Sequence, residues 1–148
     1  MAVHVVDERA SKSLGRRGTA YGAAAEITAA QDLTVVVRDE VVAALEKKGF
    51  TTTDYTENAG TRLTVEIRLL EYSTSQGFWT GGVQVQGTLK AVARKDGRDF
   101  EKLYRSNKEE RVGIVPTAET NEQWINEALS DVLQQLLDDQ NLINFLAK

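Results

Sequence analysis

"TRLTVEIRLLEY", Thr61 to Tyr72, sets Leu63, Val65, Ile67 and Leu69 at every second position, with Thr64, Glu66 and Arg68 between them. Successive side chains of an extended chain point to opposite faces, so this spacing predicts a strand with one buried and one wet face. The alternation resumes downstream in "VQVQGTLKAVARKDGRDF", through Val83, Val85, Leu89, Ala91 and Ala93. Asp96-Gly97 then supplies a two-residue hairpin turn, and "FEKLYRSNKEERVGI" supplies the returning strand. Three consecutive strands therefore form an antiparallel meander.

Upstream, Val3 to Arg9 ("VHVVDER") is short and β-branched and reads as a first strand. The glycine-rich "ASKSLGRRGTAYGAAAEI" reads as a long loop with a short extended piece at its end. Thr28 and Gln31 offer a T-x-x-Q capping box, and Leu33, Val36, Val37, Val41, Ala44 and Leu45 recur at helical spacing up to Gly49. A first helix is expected from about Ala29 to Lys48, followed by a short extended piece over Phe50 to Thr53. Downstream, Thr120 and Gln123 repeat the cap before an apolar stripe of Trp124, Ile125, Ala128, Leu129, Val132, Leu133, Leu136 and Leu137. The tail "NLINFLAK" is too apolar to hang free and is expected to dock as a short last helix. The expected fold is α+β: a mostly antiparallel sheet with a three-strand meander, and two amphipathic helices packed on one face. Residues 1–148 make a single domain on this reading.

The composition bounds the function. A formal charge of -4 and a pI near 5.1 disfavour nucleic acid, and the one basic cluster, Lys12, Arg16 and Arg17, reads as a solvated loop. There is no cysteine, hence no disulfide and no thiolate metal site. No apolar run approaches the roughly 18 residues of a membrane span. "MAVHVVDER" enters a strand directly, which fits either a cytosolic chain or a chain that follows a removed targeting segment.

Catalytic signatures are missing. His4 is the only histidine and sits in the first strand, which excludes a multi-histidine metal site and leaves no basis for a triad. "GRRGTAYG" matches neither a dinucleotide fingerprint nor a P-loop. Asp138 and Asp139, at a helix end, read as solvated. Asp7 and Arg9 share one side of the first strand and are expected to form a structural ion pair. No cofactor is expected. In "STSQGFWTGG" (Ser73 to Gly82), Phe78 and Trp79 lie near a hairpin end, where either both rings fold back as a lid on the core or one stays exposed as a contact anchor. Trp79 is the better candidate, because Phe78 is buried without needing a polar partner.

With these pieces placed, the chain resembles the YajG-like family of bacterial lipoproteins over nearly its whole length. The resemblance is carried by "DER" at the end of the first strand and by "DL…EVVAALEKKGF", which ends in Gly49-Phe50. "SQG" (Ser75 to Gly77), "LYRS" around Tyr104-Arg105, and "NEALSDVLQQLLDDQNLINFLAK" carry it further. It implies an export signal and a lipidated cysteine ahead of Met1, and a domain tethered to the periplasmic side of the outer membrane. It brings no reaction and no catalytic residue. The leading expectation is a non-enzymatic interaction or assembly module of the envelope, whose partner is an envelope protein or a second copy of the chain. The alternative is a carrier of a small apolar or lipid-like ligand between helices and sheet; an unrecognised hydrolase comes third. An apolar cavity of several hundred Å3 favours the carrier, and an exposed aromatic patch favours the module.

Overall fold

The computed structural model describes residues 1–17, 25–76, 81–113 and 116–148. Phe78 and Trp79 lie outside the described residues. Three long strands dominate: β4 (Thr61–Gln76), β5 (Gly81–Lys95) and β6 (Arg98–Val112), joined as the expected antiparallel meander. Asp96 (φ 50°) and Gly97 (φ 75°) turn β5 into β6, with both central residues at positive φ as a tight hairpin requires. The free edge of β4 is shared by two short strands, both parallel to it. β1 (Ala2–Asp7) runs beside Arg62 to Ile67, and β2 (Gly15–Arg17) meets β4 at Tyr72. β3 (Ala25–Ile27) pairs with β2 and completes a six-stranded sheet.

Three helices cover one face. α1 (Leu33–Lys47) packs on β1, α2 (Ala118–Leu137) crosses β5 and β6, and α3 (Gln140–Ala147), the apolar tail, lies on β5. The helices start later or earlier than the T-x-x-Q motifs suggest, because other side chains reach the free N–H groups. Asp32 Oδ1 accepts from the Thr34 N–H at 2.9 Å, so α1 begins at Leu33 and Thr28 stays outside it. Thr117 Oγ1 accepts from the Thr120 N–H at 3.2 Å, so α2 begins at Ala118. α1 ends where expected, with Gly49 at φ 90° and the Phe50 N–H bonded to the Leu45 carbonyl.

The alternation of β4 breaks once. Pairing to β5 passes from Ile67↔Leu89 to Leu69↔Thr88, leaving Arg68 without a partner across the ladder. The bulge shifts the phase by one residue. Leu63, Val65 and Ile67 face the helices as expected, but beyond the bulge Leu70 and Tyr72 do so, and Leu69 turns to the other face. On the opposite edge the bulge coincides with a gap between β1 and β2. Glu8 still donates to the Ile67 carbonyl and Tyr72 donates to the Leu14 carbonyl, while residues 9–13 loop away between them.

The meander and helices share one continuous core, from Val3, Leu63, Val65 and Leu45 to Val132, Leu136 and Leu142. Gly87 belongs to its tightest layer. A Cβ there would lie 2.9 Å from Ser106 Oγ and 3.3 Å from the Ala128 carbonyl oxygen, so glycine lets α2 sit close on the sheet.

Candidate functional site

Above the bulge, helices and sheet do not close completely. A groove of about 520 Å3 opens between β3, the start of α1 and the first turns of α2. Leu14 and Leu70 line it from the sheet side, Ile27, Leu33 and Val36 from one flank, and Ile125 and Leu129 from the other. Its volume falls within the range of small-molecule sites, and its walls mix these aliphatic side chains with Thr28, Gln31, Asn121 and Asn126. The described lining carries two charges, Glu26 and Glu122, and no Lys or Arg.

One polar residue in the wall stands out. Asn121 lies one turn into α2, its N–H bonded to the Thr117 carbonyl, and its side chain is 2% exposed. Counted over whole residues it is the one fully buried polar or charged residue among those described, although the Arg9 side chain is nearly as enclosed and its Nη1 is likewise buried without a hydrogen-bond partner. The buried Tyr72 hydroxyl donates to Asn121 Oδ1 at 2.9 Å. Asn121 Nδ2 is buried and has no hydrogen-bond partner. A buried amide normally satisfies both ends, so this donor needs a reason. Sequence reasoning missed it, although a signal was present: Asn121 stands four residues before Ile125, on the apolar stripe of α2.

The loop across the bulge brings Asp7 and Arg9 together. Arg9 Nε and Nη2 donate to the two carboxylate oxygens of Asp7 at 2.9 Å each, a bidentate pair whose guanidinium is almost fully buried. The Arg9 backbone N–H and Lys12 Nζ reach the same carboxylate at 3.2 and 3.0 Å. The Arg9 bonds hold the Asp7 carboxyl well below the usual range; burial opposes them and Lys12 adds to them. This cluster does not line the groove.

The remaining candidates resolve separately. His4 is half-buried, its ring 4.7 Å from that of Tyr55. Asp138 is exposed as expected, but Asp139 is not solvated. Its carboxylate caps α3 through the Asn141 N–H at 3.0 Å and accepts from Lys102 Nζ at 2.8 Å and the Tyr104 hydroxyl at 2.7 Å. Burial pushes the Asp139 carboxyl up, and the bonds from Lys102 and Tyr104 outweigh it, so the net displacement is downward. Burial first, and the bond to Asp139 second, push the Tyr104 hydroxyl well above its ordinary value. These contacts tie β6 to α3. Among the described residues, no group of three His, Asp or Glu side chains could hold a metal ion.

Fold and site together describe an α+β domain with an aliphatic groove between its layers. The chain belongs to the family Lipoprotein_16, uncharacterised lipoproteins, whose pattern matches residues 1–147. That agrees with the resemblance to the YajG-like lipoproteins. A solved protein of Xanthomonas campestris, of family DUF330, is similar with a TM-score of 0.52 at 17% identity, covering 92% of this chain and 81% of its own. At that identity the likeness is one of fold. A lipoprotein of Neisseria meningitidis aligns at 10% identity and a TM-score of 0.36, covering 90% of this chain and 99% of its own. No curated protein matches significantly. None of the described helices is long and apolar enough to cross a membrane.

Proposed function

We propose that this chain is a non-catalytic, lipid-anchored domain on the periplasmic side of the outer membrane, and that it works by holding the apolar body of a small or lipid-like ligand. Membership of a lipoprotein family supports the anchor. The groove supports the binding: its space of about 520 Å3 is walled by Leu14, Ile27, Leu33, Leu70, Ile125 and Leu129, whereas the open clefts between β6 and α2 are lined mainly by polar and charged side chains. Of the three readings weighed from the sequence, the groove favours the carrier over the interaction module.

The test uses 1-N-phenylnaphthylamine, a neutral apolar dye that brightens on leaving water. Saturable brightening with the purified chain is expected, together with its loss in Ala118→Trp, which places a large ring at the groove from an exposed helix start. Absence of saturable binding, or binding indifferent to Ala118→Trp, would overturn the carrier reading. The anchor is tested by expressing the natural gene with labelled palmitate. A labelled protein in the outer-membrane fraction is expected, and an unlabelled protein in the soluble fraction would refute it.

A further inference from the structure

We propose that the groove selects ligands carrying a neutral carbonyl acceptor, an ester or an amide, on their apolar body, and that Asn121 Nδ2 is the donor that recognises it. The inference rests on the carrier reading and gives that ligand its chemistry.

Three observations converge on it. The first is the orphan donor: Asn121 Nδ2 is buried and makes no hydrogen bond, while Oδ1 of the same amide is engaged by Tyr72. With the Tyr72 hydroxyl donating to Oδ1, Nδ2 is the end of the amide that is left over. A residue kept only for packing would be an aliphatic one like Ile125 and Leu129 beside it, since an unmade buried hydrogen bond disfavours the fold. The second is the lack of alternatives. Thr28, Gln31, Glu122 and Asn126 also line the groove, yet none of them bonds Nδ2, so the fold itself supplies it with no partner. The third is charge. Glu26 and Glu122 line the groove with no described Lys or Arg to balance them, so a carboxylate or phosphate entering it would meet like charge. An acceptor that bears no charge satisfies all three. Nδ2 is closed to bulk water, so its bond to a ligand requires the side chains over it to move aside as the ligand enters.

The experiment displaces 1-N-phenylnaphthylamine with methyl decanoate, undecane and sodium decanoate, all below micelle-forming concentrations. Methyl decanoate is expected to compete at about tenfold lower concentration than undecane, the factor equivalent to one net hydrogen bond of about 1.4 kcal/mol, and decanoate to compete least. Asn121→Leu should make ester and alkane compete equally, each measured against the variant's own affinity for the dye. In the unmodified protein, the Asn121 side-chain amide resonances should shift with methyl decanoate and stay in place with undecane, a readout that needs no variant. If the dye binds but ester and alkane compete equally, or the ester preference survives in Asn121→Leu, the proposal is overturned and the carrier reading stands. If the dye does not bind the native chain, the carrier reading fails and this proposal with it.

Discussion

The two halves of β4, either side of the bulge at Arg68, are built from similar residues and end differently. Below it, Leu63, Val65 and Ile67 are sealed under Val37, Val41, Leu45 and Leu136, all with exposures of 1% or less. Above it, Leu14, Leu70, Ile125 and Leu129 still face inward, yet Leu129 reaches 8% and a groove opens beside them. The sealed half is backed by a six-residue parallel strand and a fifteen-residue helix. Among the described residues, the open half has the three-residue strands β2 and β3 on that edge. A single extra residue in β4 divides a sealed part of the core from a part that borders an open groove.

The contrast is open to experiment at both ends. Ile67→Ala, in the sealed half, leaves a cavity that cannot collapse and should cost about 4 kcal/mol in urea denaturation, against about 2 for Ile125→Ala at the groove wall. Equal costs would mean that the two halves are packed alike. Next comes Gly15→Ala. Gly15 sits at φ 134°, and a Cβ there would lie 1.9 Å from the Tyr72 carbonyl oxygen. The substitution should cost about 3 kcal/mol and undock β2. Hydrogen exchange should then accelerate at the Tyr72 amide while Val65 stays protected; loss of protection in both would show that the halves unfold together.

A smaller effect is expected at the junction. Arg9→Ala removes the partner of a largely buried carboxylate and should lower stability by about 2 kcal/mol at neutral pH. Because Arg9 holds the Asp7 carboxyl below its ordinary value, the pair contributes fully above about pH 4. That contribution is lost as pH falls through the lowered folded-state value, so the acid limb of the stability profile should flatten in Arg9→Ala. An unchanged acid limb would exclude the pair from the acid response. The smallest effect is the most telling. Asn121→Leu removes an unsatisfied donor but also the acceptor of the buried Tyr72 hydroxyl, so the two changes partly offset and a net loss of about 1 kcal/mol is expected in urea denaturation. A loss above 2 kcal/mol would make Asn121 a structural residue.

Long periodic segments were legible in the sequence because burial imposes its period directly on them. The meander, the Asp96-Gly97 turn and the apolar tail helix follow from that pattern. Helix starts were misplaced because Asp32 and Thr117 compete for the same free N–H groups as the T-x-x-Q motifs, and spacing alone does not rank them. The bulge left no trace, since Arg68 suits a wet strand face in either phase. β2, "GRR", is too short and polar to show a period. The groove was illegible for a different reason: Leu14, Ile27, Leu33 and Ile125 meet only through the tertiary fold. Asn121 alone marked it, as a polar interruption of an apolar stripe.

The unequal strand pairings also set an order of assembly. β5 and β6 are joined by two residues and can zip from the Asp96-Gly97 turn, whereas β1 reaches β4 only after the intervening chain, α1 included, has been gathered in, pairing Val3 with Leu63. Closing a loop that long costs entropy before any contact repays it, so β1 should dock late in folding. Until then Arg62 to Ile67 present an unpaired edge beside an apolar face, the form of strand that recruits another chain. A chaperone that shields this half of β4, or a high local concentration that fails to, would decide how much of the protein folds rather than aggregates.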